Sequence, residues 1–467
     1  MEYVFYDVDK IKDFVFDSFK PKGVKGASEL LKALDFDLYT KMKEHLLQAL
    51  SEKFNIPDDR IIFSKGGSGL LKTTTDNGKD ICAWLENEFK VHARGGSLTA
   101  VFHKEEEADF PTSFAILNFK AREKKSAKLM SHDLGVTIFS KDEKDRCAYC
   151  GKRKSSDTIY LENERIPICE ICLLKRNETG KNDKAPFEAE SLEDICKAPG
   201  LPDTKYILVI YGDLNEAGAH LSEMKSEEEL QHFSNGISRT LDHARSEIEK
   251  TLQQKGFQFL APVIGGDDII LFTHPASFEL IKEHLFKIEK DLEKPGLKMN
   301  FSFLLAKHKF PIYHLFKLSQ AILDLTKDLY YEDPRKQTRY GFFKVMEGNY
   351  RESKKDVYTG KDFIFLFDMA KRIHENKDIH TSALYNILEL LANDRSLPEK
   401  ELNLDYFLSR HREFKEYIQA GDPDFQLIQR EGKIKLTHDV LEDLIIMKDL
   451  LYKPGKLDET GRRNHDQ

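Results

Sequence analysis

The sequence predicts an α+β fold: two copies of a βαββαβ, ferredoxin-like unit, a cysteine module between them and a helical domain at the end. Three observations predict it. An apolar strand running into acidic residues occurs twice, at Tyr3 to Asp7 and at Tyr206 to Asp213. Each is followed by a helical stretch and then by a hairpin with two glycines at its tip, so that Asp7 precedes Gly66 by 59 positions and Asp213 precedes Gly265 by 52. Four cysteines in two close pairs separate the copies, and from about Gly360 onward the chain is helical and strand-poor. The predicted boundaries are 1–140 for the first unit, 141–180 for the cysteine module, 181–204 for a linker, 205–355 for the second unit and 356–467 for the helical domain.

In the first unit, Phe19 to Gly26 reads as a loop of Gly, Pro and Lys, and a helix is expected from Ala27 to about Leu50 with Leu30, Leu31 and Leu34 on one stripe. Arg60 to Ser64 is β-rich, Gly66-Gly67 reads as a tight turn and Leu70 to Thr73 as the return strand. A helix from Gly78 to Lys90 and a strand from Leu98 to Phe102 follow, then a helix near Pro111 carrying Phe114, Leu117 and Phe119. The second unit repeats this order. Its elements are the apolar run Tyr206 to Tyr211, an amphipathic helix from Ser226 to Gln253, a strand from Phe257 to Ile264 and a return strand from Ile269 to Phe272. A helix after Pro275, a strand from Met299 to Ala306, a helix from Pro311 to Asp328 and a strand from Tyr340 to Val345 complete it. Beyond, Thr381 and Ser382 are candidate N-caps of a helix with Leu384, Ile387, Leu388 and Leu391 on one face. Lys453 to Gln467 is polar.

Composition narrows the function classes. The 467 residues carry 72 Lys+Arg against 80 Asp+Glu, a net charge of −8, which excludes a generally basic nucleic-acid coat but not a local basic groove. No apolar run approaches the roughly 18 residues that span a bilayer. The opening Met1 to Tyr6 lacks the basic and apolar regions of a signal peptide, so a cytoplasmic protein without a membrane partner is expected. Cys147-x2-Cys150-x18-Cys169-x2-Cys172 has the spacing of a four-thiolate zinc site, in which two tight turns each grip a tetrahedral ion. Four reduced cysteines without metal are the alternative. Cys82 and Cys196 read as packing residues, and the basic run Lys152-Arg153-Lys154 as a solvated loop or a phosphate contact.

The sharpest motif is Gly265-Gly266-Asp267-Asp268, set between two apolar strands beside the strand that carries Asp213. Two glycines let a backbone approach a ligand, and carboxylates on adjacent strands can hold two divalent ions about 3.5–4 Å apart. Such oxygen-rich sites favour Mg²⁺ or Mn²⁺ and suit attack of a ribose hydroxyl on an α-phosphate. The first unit's turn continues into Ser68 rather than an acid, so that copy is expected not to hold metal.

Several segments together resemble the large subunit of type III CRISPR effector complexes, the Cas-ten family of palm-domain cyclases that make cyclic oligoadenylate. They are Asp7 to Phe16, Gly26-Ala27-Ser28-Glu29-Leu30-Leu31, Gly66-Gly67-Ser68-Gly69, the cysteine module, Asp213 to Gly218, Gly265 to Asp268, Ala306 to Pro311 and Leu325-Thr326-Lys327. The resemblance covers Tyr3 to about Leu391 and implies two palm domains, the second catalytic. It implies metal ligation by Asp213, Asp267 and Asp268, a nucleotide bound at Gly265 and Gly266, Lys327 on the triphosphate of ATP and Ser28 against the adenine of a second nucleotide. Lys327 also reads as a charge suited to a helix C-terminus, Ser28 as a helix N-cap and His308 as a surface histidine.

Two departures stand out. Asn215 takes the place of the family's second acid, and the strand Phe301 to Leu304 lacks the glycine often found after its serine. Neither His132-Asp133 nor His438-Asp439 has the surroundings of an HD nuclease site, so no DNA nuclease activity is expected. The expected partners are effector subunits with guide RNA and target RNA, or a second copy if the chain acts alone. A weakly active scaffold subunit and a diguanylate-cyclase-like dimer are the rival readings. The duplicated unit and the cysteine module argue against the latter.

Overall fold

The computed structural model describes residues 1–36, 45–74, 76–104, 109–130, 145–161, 164–179, 189–201, 203–262, 266–293, 296–345, 357–375 and 381–390, with scattered positions from 406 to 448. The chain opens with β1 (Glu2–Asp9), α1 (Ile11–Val15), α2 (Pro21–Leu31) and α3 (Leu46–Phe54). The hairpin β2 (Ile61–Lys65) and β3 (Ser68–Thr73) follows, then α4 (Gly78–His92), β4 (Ser97–Lys104) and α5 (Phe110–Met130). These strands form an antiparallel sheet in the order β2-β3-β1-β4. The cysteine segment supplies the hairpin β5 (Asp157–Leu161) and β6 (Glu164–Ile168), then α6 (Glu170–Glu178) and the short α7 (Leu192–Ile195).

The second sheet is built from β7 (Tyr206–Asn215), α8 (Ala217–Ser222), α9 (Glu227–Gln254), β8 (Phe259–Leu260) and β9 (Asp268–Thr273). It continues with α10 (Phe278–Glu293), β10 (Lys298–Lys307), α11 (Ile312–Glu332), β11 (Arg339–Lys344) and β12 (Val357–Thr359). Its order is β12-β11-β10-β7-β9-β8, so β8, β9, β7 and β10 repeat the arrangement of β2, β3, β1 and β4, and β11 adds parallel to β10 across α11. The registers also agree. Asp7 lies between Ser68 and Thr99, and Asp213 between Asp268 and Asn300. Beyond the sheet come α12 (Gly360–Glu375), α13 (Thr381–Leu390) and a small hairpin of β13 (Gln426–Ile428) and β14 (Lys433–Lys435).

β7 is apolar from Tyr206 to Tyr211 because both of its faces are covered. Successive side chains alternate between faces. Leu208, Ile210 and Leu214 enter a core with α9, α10 and α12, where Phe278, Phe303 and Phe363 meet. Ile207, Val209 and Tyr211 enter a second core, shared with Phe14, Val15 and Phe16 of the first unit. Phe16 stacks on Phe316 of α11 at 4.0 Å between ring centroids. Each fully buried phenylalanine of this kind contributes about 1.5–3 kcal/mol. A polar seam runs beside it: Tyr3 and Lys72 of the first sheet both bond Glu227 of α9, at 2.5 and 2.8 Å.

Several expected elements differ. Phe19 to Gly26 is not a loop: α2 begins at Pro21, whose fixed φ suits a first helical position. The glycines that read as loop residues serve close packing instead. A Cβ on Gly26 would lie 1.5 Å from the Lys175 carbonyl oxygen of α6. The helix expected to run to Leu50 stops after a 3₁₀ turn at Lys32–Leu34, and α3 is separate. Ser28 therefore lies inside α2, buried, and is not its N-cap. Phe119 is 69% exposed, because Phe114, Leu117 and Ala121 form the buried stripe of α5 and Phe119 falls on the far side. β8 is two residues long, and Val263, Ile264 and Gly265 lie outside the described residues. α13 starts at Thr381 itself, and the polar tail from Lys453 lies outside the described residues.

Gly26→Ala forces α2 away from α6. The substitution is expected to lower unfolding stability by about 1–3 kcal/mol, as overpacked cores do; denaturant unfolding checks it.

Candidate functional site

β7 ends where Asn215 gives way to Glu216, which adopts a left-handed conformation (φ 60°) and opens α8. Tyr330 of α11 donates to the Glu216 carboxylate at 3.2 Å, and Lys336 pairs with it. The strand end is thereby fixed. The Leu214 N–H donates to the Asp267 carbonyl at 3.3 Å, which ties the acidic turn to β7. Asp213 and Asp268 lie opposite one another on β7 and β9, with side chains only 8% and 3% exposed.

Two lysines from separate helices meet these acids. Lys327 of α11 pairs with Asp213 Oδ2. Lys12 of α1, in the first unit, reaches across to Asp268 Oδ2 at 3.1 Å and Asp213 Oδ1 at 3.5 Å. Tyr211, one turn of the pleat before Asp213, donates its hydroxyl to Asp268 Oδ1 at 3.1 Å. Burial pushes the Asp268 carboxyl well above the carboxylate range, and the charges of Asp267 and Asp213 push it further. Asp267 is raised for the same two reasons, burial first and then Asp213. Burial would raise Asp213 also, but the hydrogen bond to Asp268 and the charges of Lys327 and Lys12 bring it below its ordinary value. Crowded carboxylates of this kind resist full ionisation together, and the pressure falls most on Asp268.

This donor set fits a hard divalent cation such as Mg²⁺ or Mn²⁺: carboxylates whose repulsion a cation relieves. Asn215 strengthens the fit. It sits two positions beyond Asp213 on the same face of β7, is 2% exposed, and neither polar atom of its side chain has a hydrogen-bond partner. The amide oxygen is thus a buried neutral donor atom that could serve as a ligand. Lys12 Nζ stands between Asp213 and Asp268, and Lys327 Nζ lies on Asp213, so lysine nitrogens are the cations next to these acids.

The first unit carries the same ion pair without the turn acids. Lys125 of α5 pairs with Asp7 as Lys327 of α11 pairs with Asp213. Asp9 accepts from Ser97 at 2.7 Å and Thr99 at 2.8 Å and pairs with Lys128 at 3.3 Å. Across from Asp7 stands Ser68. Gly66 and Gly67 have φ of 61° and 85°, a turn that favours glycine. Asp35, pushed up to about 6 by burial, accepts the Gly66 N–H at 3.0 Å. A cavity of about 270 Å³ separates the two hairpin turns, with Asp35, Gly66, Arg245, Gly266 and Asp268 among its walls.

The cysteine cluster is the tightest ligand group among the described residues. The four Sγ atoms of Cys147, Cys150, Cys169 and Cys172 lie within 4.8 Å of one another, all buried, with Cys150 and Cys169 4.0 Å apart. A tetrahedral four-thiolate zinc site has sulfurs roughly 3.8 Å apart, so the cluster could hold Zn²⁺. Of the basic run, Lys152 and Arg153 turn onto Asp17, at 2.9 and 2.5 Å, while Lys154 is exposed. Lys175 of α6 is 1% exposed, and its ammonium, brought down to about 8 by burial, donates to the Phe14 carbonyl at 2.6 Å. His308 bonds the Lys205 carbonyl at 3.1 Å. Cys82 and Cys196 are buried packing residues. Asp213 and Asp268 thus stand together with Lys327, Gly266 borders the adjoining cavity, and Ser28 lies within α2. Sequence reasoning assigned nothing to Lys12 or Tyr211, and it read Lys125 and Lys128 only within the basic run Arg122 to Lys128, as a solvated helix face or a contact to RNA phosphates, whereas both turn onto Asp7 and Asp9. The contact of Lys12 with Asp268 spans 256 positions, and nothing local marks it.

The sequence matches no family model and no curated protein. The fold does match solved structures. A Csm1–Csm4 cassette in complex with cA4 gives a TM-score of 0.60 at 14% identity, over 96% of this chain and 69% of that one. Csm1 from T. onnurineus gives 0.56 at 16%, with the same coverage. A Csm1–Csm4 cassette in complex with AMPPNP gives 0.58 at 13%, over 97% of this chain and 70% of that one. Others are solved with cA3, pppApA or one ATP. The chain therefore shares the fold of Csm1, a subunit of type III CRISPR complexes.

A carboxyl whose folded value is raised favours folding below its unfolded value, near 3.8 for Asp268, and loses that contribution as pH rises through the folded value. Asp268→Asn is expected to raise the melting temperature at pH 7–8 without divalent ions, with the gain shrinking toward pH 4. Added Mn²⁺ stabilises the parent protein more at high pH than at low and releases protons as it binds; thermal shift and a pH-indicator titration check both. For the cysteines, a metallochromic dye after thiol modification is expected to read about one zinc per chain, and Cys172→Ser to lose it with a drop in melting temperature.

Proposed function

We propose that the chain is a metal-dependent nucleotidyltransferase that joins ATP into cyclic oligoadenylate, working as the large subunit of a type III CRISPR-type effector in antiviral defence. The single observation that carries this reading is the three-acid site of Asp213, Asp267 and Asp268, facing the first unit, in the fold shared with Csm1 structures that hold ATP and cA4. The repeated strand order supports two palm domains, residues 1–140 and 205–355, with the zinc module at 141–180, a linker at 181–204 and a helical domain at 356–467.

Asp213, Asp267 and Asp268, with the Asn215 amide oxygen, would hold Mg²⁺ or Mn²⁺. Bound divalent ions supply Lewis acidity to an α-phosphate and lower the pKa of an attacking 3′-hydroxyl. The chain's own groups orient the reactants. Gly265 and Gly266 let the backbone approach a phosphate. Lys327 offers an ammonium to the triphosphate, and Ser28 is assigned the base of a second nucleotide by resemblance. Asp7 and Asp9, already neutralised by Lys125 and Lys128, leave the first unit a nucleotide-binding half without chemistry of its own. Apposed nucleotides then react as neighbours, which removes much of the entropic barrier. The cysteine cluster is a structural zinc site. A Csm4-type subunit, guide RNA and target RNA are the proposed partners in a cytoplasmic complex; among the described residues no helix is long and apolar enough to cross a membrane.

A second reading, a weakly active scaffold that binds guide and target RNA, is favoured by Asn215, which supplies a neutral ligand where an acid would bind metal more tightly.

Incubation with each nucleoside triphosphate and Mg²⁺ or Mn²⁺, with and without guide and target RNA, is expected to give a cyclic oligoadenylate by mass spectrometry. Asp267→Ala/Asp268→Ala abolishes it, and Lys327→Ala lowers kcat roughly 10²–10³-fold, as loss of a phosphate clamp does. Absence of any product, together with absent ATP binding, would favour the scaffold.

A further inference from the structure

Lys12 is the one residue described at the acidic site that touches two of its carboxylates and comes from the other half of the molecule. Its Nζ lies 3.1 Å from Asp268 Oδ2, 3.2 Å from Asp268 Oδ1 and 3.5 Å from Asp213 Oδ1. A cation between two carboxylates on adjacent strands occupies the place that a bridging ion takes in a two-metal site. Lys327 differs, since it pairs with Asp213 alone among these acids.

Lys12 is also held there. α1 leaves β1 through Lys10, which is left-handed (φ 50°), so the helix turns back at once over the end of the second sheet. Phe14, Val15 and Phe16 are buried in the shared core, and the buried Lys175 holds the Phe14 carbonyl. The Lys12 ammonium lies 5.3 Å above the Tyr211 ring, a cation–π contact that adds to the ion pairs. Its side chain is 32% exposed, so it has room to leave toward solvent.

We propose that Lys12 is a tethered cation that fills one of the two ion positions of the acidic site, so that the chain takes up a single divalent ion while Lys12 is in place. This rests on the metal-site reading above. Charge supports it. Three carboxylates against two ammoniums leave at most one net negative charge, too little to hold two divalent ions, and Asn215 adds none. Withdrawal of Lys12 restores the charge that a second ion requires. Because α1 belongs to the first unit, a displacement of that unit against the second sets how many ions the site holds.

The test is Mn²⁺ binding to the full chain, read by the loss of the free-ion electron paramagnetic resonance signal, with no nucleotide present. The parent protein is expected to bind one Mn²⁺ at this site. Lys12→Ala is expected to bind two, the first at least about ten-fold more tightly, since a like charge within 4 Å has gone. Lys12→Met, which keeps the stem against Tyr211, behaves as Lys12→Ala, and Lys12→Arg as the parent; circular dichroism checks that all fold. Parent affinity and stoichiometry in both Lys12→Ala and Lys12→Met would overturn the proposal, as would two ions in the parent. The control is Asp267→Ala/Asp268→Ala. If it loses Mn²⁺ while the Lys12 variants match the parent, the acidic metal site stands and the role of Lys12 falls. If it binds as the parent does, or if no variant binds Mn²⁺, the metal-site reading itself falls, and the proposal with it.

Discussion

Burial of like charge at the end of β7 is the constraint around which the rest is arranged. Asp213 and Asp268 face each other across two strands with almost no access to water, and Asp267 stands in the same turn. Such a group is costly unless cations or protons compensate it. Three elements converge to do so: α11 brings Lys327, α1 brings Lys12 and β7 itself brings Tyr211. The acids thus dictate where both helices lie, and the residual electrostatic tension is the source of any affinity for a metal ion.

Holding α1 in place recruits much of the first unit. Its five residues are too few to be a stable helix alone. Stability comes from the aromatic contact of Phe16 with Phe316, from the burial of Phe14 and Val15, and from α2 pressed onto α6 through Gly26. Lys175, at the edge of the cysteine cluster, closes this chain of contacts. The segment that holds the cluster thus also seats α1, whose Lys12 meets the acids.

What was legible from sequence was whatever local pattern encodes. The duplicated strand–hairpin order could be read because apolar runs and paired glycines are local signals, and the cysteine spacing because two turns gripping one ion need that spacing. The strand that carries Asp213 was placed correctly but ended too early: acidic residues read as a strand end, yet β7 continues to Asn215 because the buried turn gives them partners. Pro21, Gly23 and Gly26 misled for the opposite reason. They are loop formers by propensity, but here the proline starts a helix, Gly23 admits the Ser18 side chain and Gly26 admits a neighbouring backbone. Lys12 was invisible, since its role depends on the docking of one unit on the other. Lys327 was found through resemblance alone, and its contact with Asp213 is equally non-local.

The pair of Asp7 with Lys125 duplicates that of Asp213 with Lys327 in a unit whose turn has Ser68 where the other has an acid. A bond that recurs in both units, beside turn acids in one and without them in the other, does not depend on those acids. Its common effect is architectural, since it moors the helix after the fourth strand to the middle of the sheet. In the second unit one lysine therefore serves two ends, as a fastening of its helix and as a counter-charge at the acidic turn.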